Sequence, residues 1–124
     1  MPALDLDRID LLLLAELQRA GRQTNAELAE RVHLSASACL RRVQRLEREG
    51  AIAGYRAEVD PERLGLGLQA FVRVQLARHD ADAVAAFAGH VNDWDEVVAC
   101  HALTGDMDYL LQVVVSDLEH FSRF

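Results

Sequence analysis

Residues 24–50 read TNAELAERVHLSASACLRRVQRLEREG, and the reading of this stretch decides the fold. Thr24 can cap a helix, and Glu27 three residues on completes a capping box. Leu28, Ala29 and Val32 then fall on one helical face. His33-Leu34 breaks the pattern, and Ser35 is suited to cap a second helix. There Cys39, Val43 and Leu46 recur at helical spacing and should face a core. Gly50 follows as the residue just past a helix end.

The opposite face of the second helix carries Ser37, Arg41, Gln44, Arg45 and Arg48. Arginine can bond guanine O6 and N7 together, and glutamine can bond adenine in the same two-pronged way. A helix, a short turn and a helix with such a face fit a helix-turn-helix that lays its second helix in a major groove. The competing reading is a solvated arginine-rich face on an ordinary helical hairpin. Arg42 lies close to the buried side and reads as structural.

At 124 residues the chain makes one domain or two very small ones. Half of it is hydrophobic, enough for a real core. The longest aliphatic run, Leu11 to Ala15, is far too short to span a bilayer. Met1-Pro2-Ala3 leads into acidic residues without the basic and apolar segments of a signal peptide, which points to the cytoplasm. Cys39 and Cys100 both sit in apolar patterns and read as two buried thiols, with neither a disulfide nor a metal pair expected.

The net charge of −7 speaks against nucleic acid until its distribution is examined. Residues 1–56 hold nine arginines and eight acids, whereas residues 57–124 hold four and twelve. Within 31–56, six arginines face only Glu47 and Glu49. A locally basic segment on an acidic body is compatible with DNA binding.

Outward from this stretch, Asp5 or Asp7 can cap a first helix running to about Arg19. Ile9, Leu12, Leu13 and Leu17 form one apolar face; Leu11 and Leu14 form a second, which needs another partner. After Gly50, Tyr55, Ala57 and Val59 alternate, which predicts a strand serving as wing or linker. Asp60-Pro61 ends it, and Gly65 and Gly67 mark a boundary. From Leu68 to Ala77 the period is two, with Leu68, Ala70, Val72, Val74 and Leu76 on one side. A helix starting at Asp80 or Asp82 follows, with Val84, Phe87, Ala88 and Val91 inward. Strands are expected over Val97–Thr104 and Tyr109–Val115, joined by the hairpin loop Gly105–Asp108. Ser116 is expected to cap a last helix with Leu118, Phe121 and Phe124 inward. The order β-α-β-β-α is a ferredoxin-like unit short of one strand.

These residues also carry a family likeness. Leu6-Asp7 with Asp10, Gly21-Arg22, Glu27-Leu28-Ala29, Leu34-Ser35 with Ser37, Arg41-Arg42 and Arg45-Leu46-Glu47 match in the first half. Gly50, Ile52, Asp60, Leu64-Gly65, Thr104-Gly105 and Asp108-Tyr109 continue the match. With them the chain resembles the Lrp/AsnC, or feast/famine, transcription regulators along its whole length. The resemblance implies a DNA-binding helix-turn-helix and an αβ sandwich that binds amino acids and builds dimers and larger rings. It also places the effector near the loop holding Thr104, Gly105, Asp106 and Asp108. His33 stands where the family usually has glycine, and it tolerates a left-handed backbone better than most residues. Cys39 replaces a usual valine or isoleucine. The family continues for roughly one more strand, so Leu68–Ala77 is expected to be an open sheet edge, and an extended version to be more stable.

The expectation is therefore an α+β protein: a three-helix winged helix-turn-helix over 1–59, then a truncated ferredoxin-like effector and oligomerisation domain over 68–124. The function expected is a sequence-specific regulator that binds double-stranded DNA and responds to a small amino-acid-like effector. Ser35, Ser37, Arg41, Gln44, Arg45 and Arg48 face the DNA. The protein is expected to be a cytoplasmic homodimer or larger, without cofactor, metal or membrane. Catalysis is not expected, because neighbours such as Cys100 and His101 on a strand point to opposite faces and cannot pair as nucleophile and base. Asp93, Asp95 and Glu96 lack the spacing of a calcium loop, and Asp106 and Asp108 can equally be hairpin formers. Two rivals stand beside this reading: an enzyme resembling the sirohaem decarboxylases, which share the architecture, and a truncated chain that only associates with full-length relatives.

Overall fold

The computed structural model describes residues 2–124, and the chain divides after Glu58 into two compact units. The first unit holds α1 (Arg8–Arg19), α2 (Asn25–Arg31) and α3 (Ala36–Arg48). Asp7 caps α1 in a full capping box: its carboxylate accepts from the Asp10 amide at 2.9 Å, and the Asp10 carboxylate accepts from the Asp7 amide at 3.1 Å. At α2 only half of the expected box is present, the Thr24 hydroxyl accepting from the Glu27 amide. Gln23 closes the other end of α1, its side-chain amide donating to the carbonyls of Glu16 and Ala20. Leu13, Leu28, Ala29, Val32, Cys39 and Leu46 form the buried centre, with Ile9, Leu17, Leu34, Val43 and Ile52 packed around them. Burying a leucine side chain in full contributes about 1.5–3 kcal/mol, so Leu13 and Leu46 anchor the bundle.

Residues 53–60, where the alternation of Tyr55, Ala57 and Val59 predicts a strand, belong to no sheet. Alternation alone does not make a ladder, which also needs a partner strand, and none pairs with these residues among those described. Asp60 then caps a 3-10 turn over Pro61–Leu64 that ends at Gly65 with φ 78°.

The second unit is built on a three-stranded antiparallel sheet in the order β1-β3-β2, from β1 (Leu68–Val74), β2 (Val97–Ala102) and β3 (Tyr109–Val115). β1 and β2 stop short of the expected Ala77 and Thr104. Leu68 faces Val115 and Val74 faces Tyr109. Leu111, Val113 and Val115 of the central strand are buried beneath α4 (Ala81–Asp93) and α5 (Leu118–Arg123), where Val91, Phe87 and Phe121 pack on them. Val84, expected inward, is exposed, as is Ala88. Asp117, not Ser116, caps α5; the Ser116 amide instead donates to His120 Nδ1 at 3.1 Å.

β1 has one partner, β3, and its other edge is unpaired among the described residues, as the β-α-β-β-α order anticipates. The face of the sheet away from the helices carries Gln69, Phe71 and Arg73 of β1 and Leu110, Gln112 and Val114 of β3. Phe71 is 61% exposed there.

Candidate functional site

The turn between α2 and α3 is set by His33, whose φ of 58° lies in the left-handed region. Its amide returns to the Glu30 carbonyl at 3.3 Å and the Leu34 amide to the Ala29 carbonyl at 2.9 Å, the two bonds of a Schellman ending. Leu34 then packs against the bundle core. Ser35 caps α3 by accepting from the Ala38 amide at 3.2 Å, and its hydroxyl lies 3.4 Å from that of Ser37. The Asn25 side chain donates to the Ala36 carbonyl at 2.8 Å, tying the start of α2 to the start of α3. Sequence reading missed Asn25, since a polar residue in a first helical turn looks like ordinary solvated surface.

Ser35, Ser37, Arg41, Gln44 and Arg48 are all exposed, on the side of α3 away from buried Cys39 and Leu46. Neither Arg41 nor Arg48 makes an ion pair among the described residues. Leu40 joins the same surface, 45% exposed beside Arg41. Its position next to Cys39 on the helical repeat was the available signal, masked by the habit of assigning leucine to a core.

Arg45 departs from the expected face. Its guanidinium donates from Nη1 to the Asp10 carboxylate at 3.2 Å and from Nη2 to the Asp5 carbonyl at 2.9 Å, while Nε lies 3.1 Å from Glu49. Periodicity places the Cα of Arg45 on the flank of the exposed side, and the long side chain folds back toward α1. Arg42 makes the expected structural contact, to Asp7 at 2.8 Å and Asp10 at 3.0 Å. Asp10 is 1% exposed, so its charge is held by these two arginines and the Asp7 amide. The Asp7 carboxyl is held below its ordinary range, first by the Asp10 amide and then by Arg42.

In the second unit, Thr104, Gly105 and Asp106 are exposed in the β2–β3 loop, where Gly105 adopts φ 97°. Asp108 is differently placed. Its carboxylate accepts from the Leu76 amide at 2.7 Å and lies 3.1 Å from His79 Nε2. Its amide donates to the Val74 carbonyl at 2.9 Å, and its carbonyl accepts from the Leu103 amide at 2.8 Å. Asp108 thus closes the base of the loop against the end of β1. The Leu76 amide, followed by His79, holds its carboxyl below the ordinary range.

Cys39 is buried, and burial pushes its thiol up. Cys100, expected to be buried too, is exposed, because β2 is an edge strand whose second half lies open. Cys100 pairs with Leu111 and His101 with Leu110, so the two side chains lie on opposite faces of the sheet. Among the described residues no group of His, Cys, Asp and Glu could hold a metal, and no helix is long and apolar enough to cross a membrane.

This geometry has close counterparts. Residues 6–53 match a winged helix-turn-helix DNA-binding family, and residues 69–124 match the Lrp/AsnC ligand binding domain. The leucine-responsive regulatory proteins of Salmonella typhimurium and of Escherichia coli K12 are each 44% identical, over 98% of this chain and 74% of theirs. A transcriptional regulator from Neisseria meningitidis, solved as an L-Met complex, is 50% identical with a TM-score of 0.93, covering 97% of this chain and 77% of that one. An AsnC family transcriptional regulator from Agrobacterium tumefaciens gives 35% identity and a TM-score of 0.91, covering 96% and 78%. These relatives are named as regulators. With both halves matched in order and the curated relatives aligned over nearly its whole length, the chain belongs to the Lrp/AsnC family of transcription regulators.

Proposed function

We propose that this regulator reads double-stranded DNA through the exposed side of α3, and that a small amino acid bound at its sheet unit sets DNA affinity or assembly. The observation that carries the DNA reading is the surface of Ser37, Leu40, Arg41, Gln44 and Arg48, with both exposed arginines free of ion pairs among the described residues. Arg41 and Arg48 supply guanine-type contacts, Gln44 an adenine-type contact, and Leu40 an apolar contact for a thymine methyl. Ser35 and Ser37, at the start of α3, are suited to phosphate.

Thr104, Gly105 and Asp106 are the exposed candidates for the effector, with Asp108 as the anchor that shapes the loop. The names of the relatives point to leucine and methionine as the first compounds to try. An effector regulates only if it binds two states with different affinity.

One helix-turn-helix makes few base contacts, and paired half-sites are the usual remedy. The uncovered sheet face with Phe71, Leu110 and Val114 fits a second copy of the chain, giving a homodimer or larger assembly in the cytoplasm. Sequencing of genomic fragments retained by the protein tests the DNA reading; recovery of random fragments contradicts it. Calorimetry across the twenty amino acids, with light scattering before and after, tests the effector; a panel without heats contradicts that half.

A further inference from the structure

α3 carries four arginines, yet the structure leaves only two of them on the exposed side. Arg42 and Arg45 are bound by α1 and the residues before it. Arg45 has a partner on each of three guanidinium nitrogens: Asp10, the Asp5 carbonyl and Glu49. The central acceptor, Asp10, is 1% exposed. A carboxylate so placed cannot recruit water in place of a lost cation, so it holds its arginines firmly. Asp10 does this while also capping α1 at the Asp7 amide, which fixes its carboxylate in position.

We propose that Asp10 is a positioning residue for DNA binding: by holding Arg45 against α1, it limits the arginines that α3 presents to phosphate and so keeps down the sequence-independent affinity for duplex. This rests on the DNA-binding reading above. Phosphate contacts from arginine carry no sequence information and dominate non-specific affinity. A helix offering Arg41, Arg45 and Arg48 together would hold any duplex more tightly. With Arg45 withdrawn, Gln44 and Leu40 account for a larger share of the contact, and these discriminate between bases. In Asp10→Asn the side-chain oxygen can still accept from the Asp7 amide. The charge that holds the two guanidinium groups is gone, and Arg45, on the flank of the exposed side, is released.

The test is equilibrium binding to a selected duplex and to a random duplex over a series of salt concentrations. It uses the full chain and compares wild type, Asp10→Asn, Arg45→Ala and the double variant, each checked for folding by circular dichroism. One extra phosphate contact steepens the slope of log K against log salt by about 0.9, which is roughly eightfold in affinity at 0.1 M salt. Asp10→Asn is expected to show that steepening on both duplexes, with affinity for the random duplex raised by about the same eightfold at 0.1 M salt. Arg45→Ala alone is expected to leave the slope unchanged, and the double variant to return to it. A purely structural role would lower the melting temperature without moving the slope, and that result overturns the proposal. So does a slope flattened by about 0.9 in Arg45→Ala, since Arg45 would then already bind phosphate. If Asp10→Asn fails to fold, Asp10→Ser, which keeps a side-chain oxygen near the Asp7 amide and removes the charge, takes its place and is read by the same slope. Failure of wild type to prefer any duplex would instead overturn the DNA-binding reading itself, and this proposal with it.

Discussion

In the first unit, buried side chains from α1, α2 and α3 meet one another and no sheet is involved; in the second, the sheet buries one face beneath α4 and α5 and leaves the other open. The difference lies in where each backbone finds its hydrogen bonds. A helix satisfies its own backbone and needs a neighbour only for its apolar stripe. A strand must borrow another strand, and β1 borrows from β3 on one side only. Residues 53–60 are the extreme case, with a strand's alternation and no ladder. The helical unit therefore satisfies its backbone within itself, although Leu11 and Leu12 of α1 stay exposed, and the sheet unit leaves a strand edge and a face open.

The sharpest way to break this comparison is to destabilise one unit and watch the other. Leu46 and Leu111 are the matched probes, 0% and 3% exposed. Leucine-to-alanine changes at such sites cost about 2–5 kcal/mol. Denaturant unfolding with hydrogen exchange read by segment should show Leu46→Ala loosening residues 8–48 and Leu111→Ala loosening residues 68–115. Loss of both units together in either variant would mean that they do not have separate cores.

A smaller effect is expected at the α2–α3 turn. His33 holds a left-handed backbone, which costs a side-chain-bearing residue roughly 1–2 kcal/mol, least for the residue types that tolerate it. His33→Val should destabilise the first unit by about that amount through its β-branch, and His33→Gly should not. A melting curve for His33→Val that overlays wild type would show that the turn adopts another shape.

Acidification gives the gentlest comparison, because each unit has one carboxyl held low: Asp7 by the Asp10 amide and Arg42, Asp108 by the Leu76 amide and His79. A depressed folded value means stability that is present above the ordinary aspartate value of 3.8 and lost as pH falls through the lower folded value. Asp7→Asn and Asp108→Asn should each flatten the acid loss of their own unit. Unchanged acid profiles would remove these carboxyls from the account.

α2 and α3 were legible almost to the residue because caps and periodicity are local: Thr24 and Ser35 cap where the sequence places them, and Cys39 and Leu46 face inward. At α1 Asp7 is one of the two caps expected, and in the second unit Asp117 replaces Ser116 while Val84 and Leu118, expected inward, are exposed. β3 was equally plain, as a central strand whose alternating Leu111, Val113 and Val115 are buried. What stayed hidden depends on partners distant in sequence. Nothing near Arg45 announces that Asp10 will take it, 35 residues away. Nothing near Asp108 announces the Leu76 amide, 32 residues away. Cys100 looks buried from its neighbours, and only its place on an edge strand exposes it. Long polar side chains reach past the face that periodicity assigns to their Cα, so the exposed side of α3 was legible as a helix face and less so as a set of side chains.

The central claim is that the exposed side of α3 reads DNA, and one comparison tests it most directly. Binding of wild type, Arg41→Ala and Arg8→Ala should be measured on the same selected duplex at fixed salt. Arg8 is an exposed arginine on α1 and serves as the control. A two-pronged base contact is worth about 1–3 kcal/mol, so Arg41→Ala should weaken binding roughly tenfold or more and relax discrimination at one base pair, with the fold intact. Arg8→Ala should stay within about twofold, as a contact to at most one phosphate outside the groove would. Equal losses in the two variants, with unchanged discrimination in Arg41→Ala, would contradict the claim.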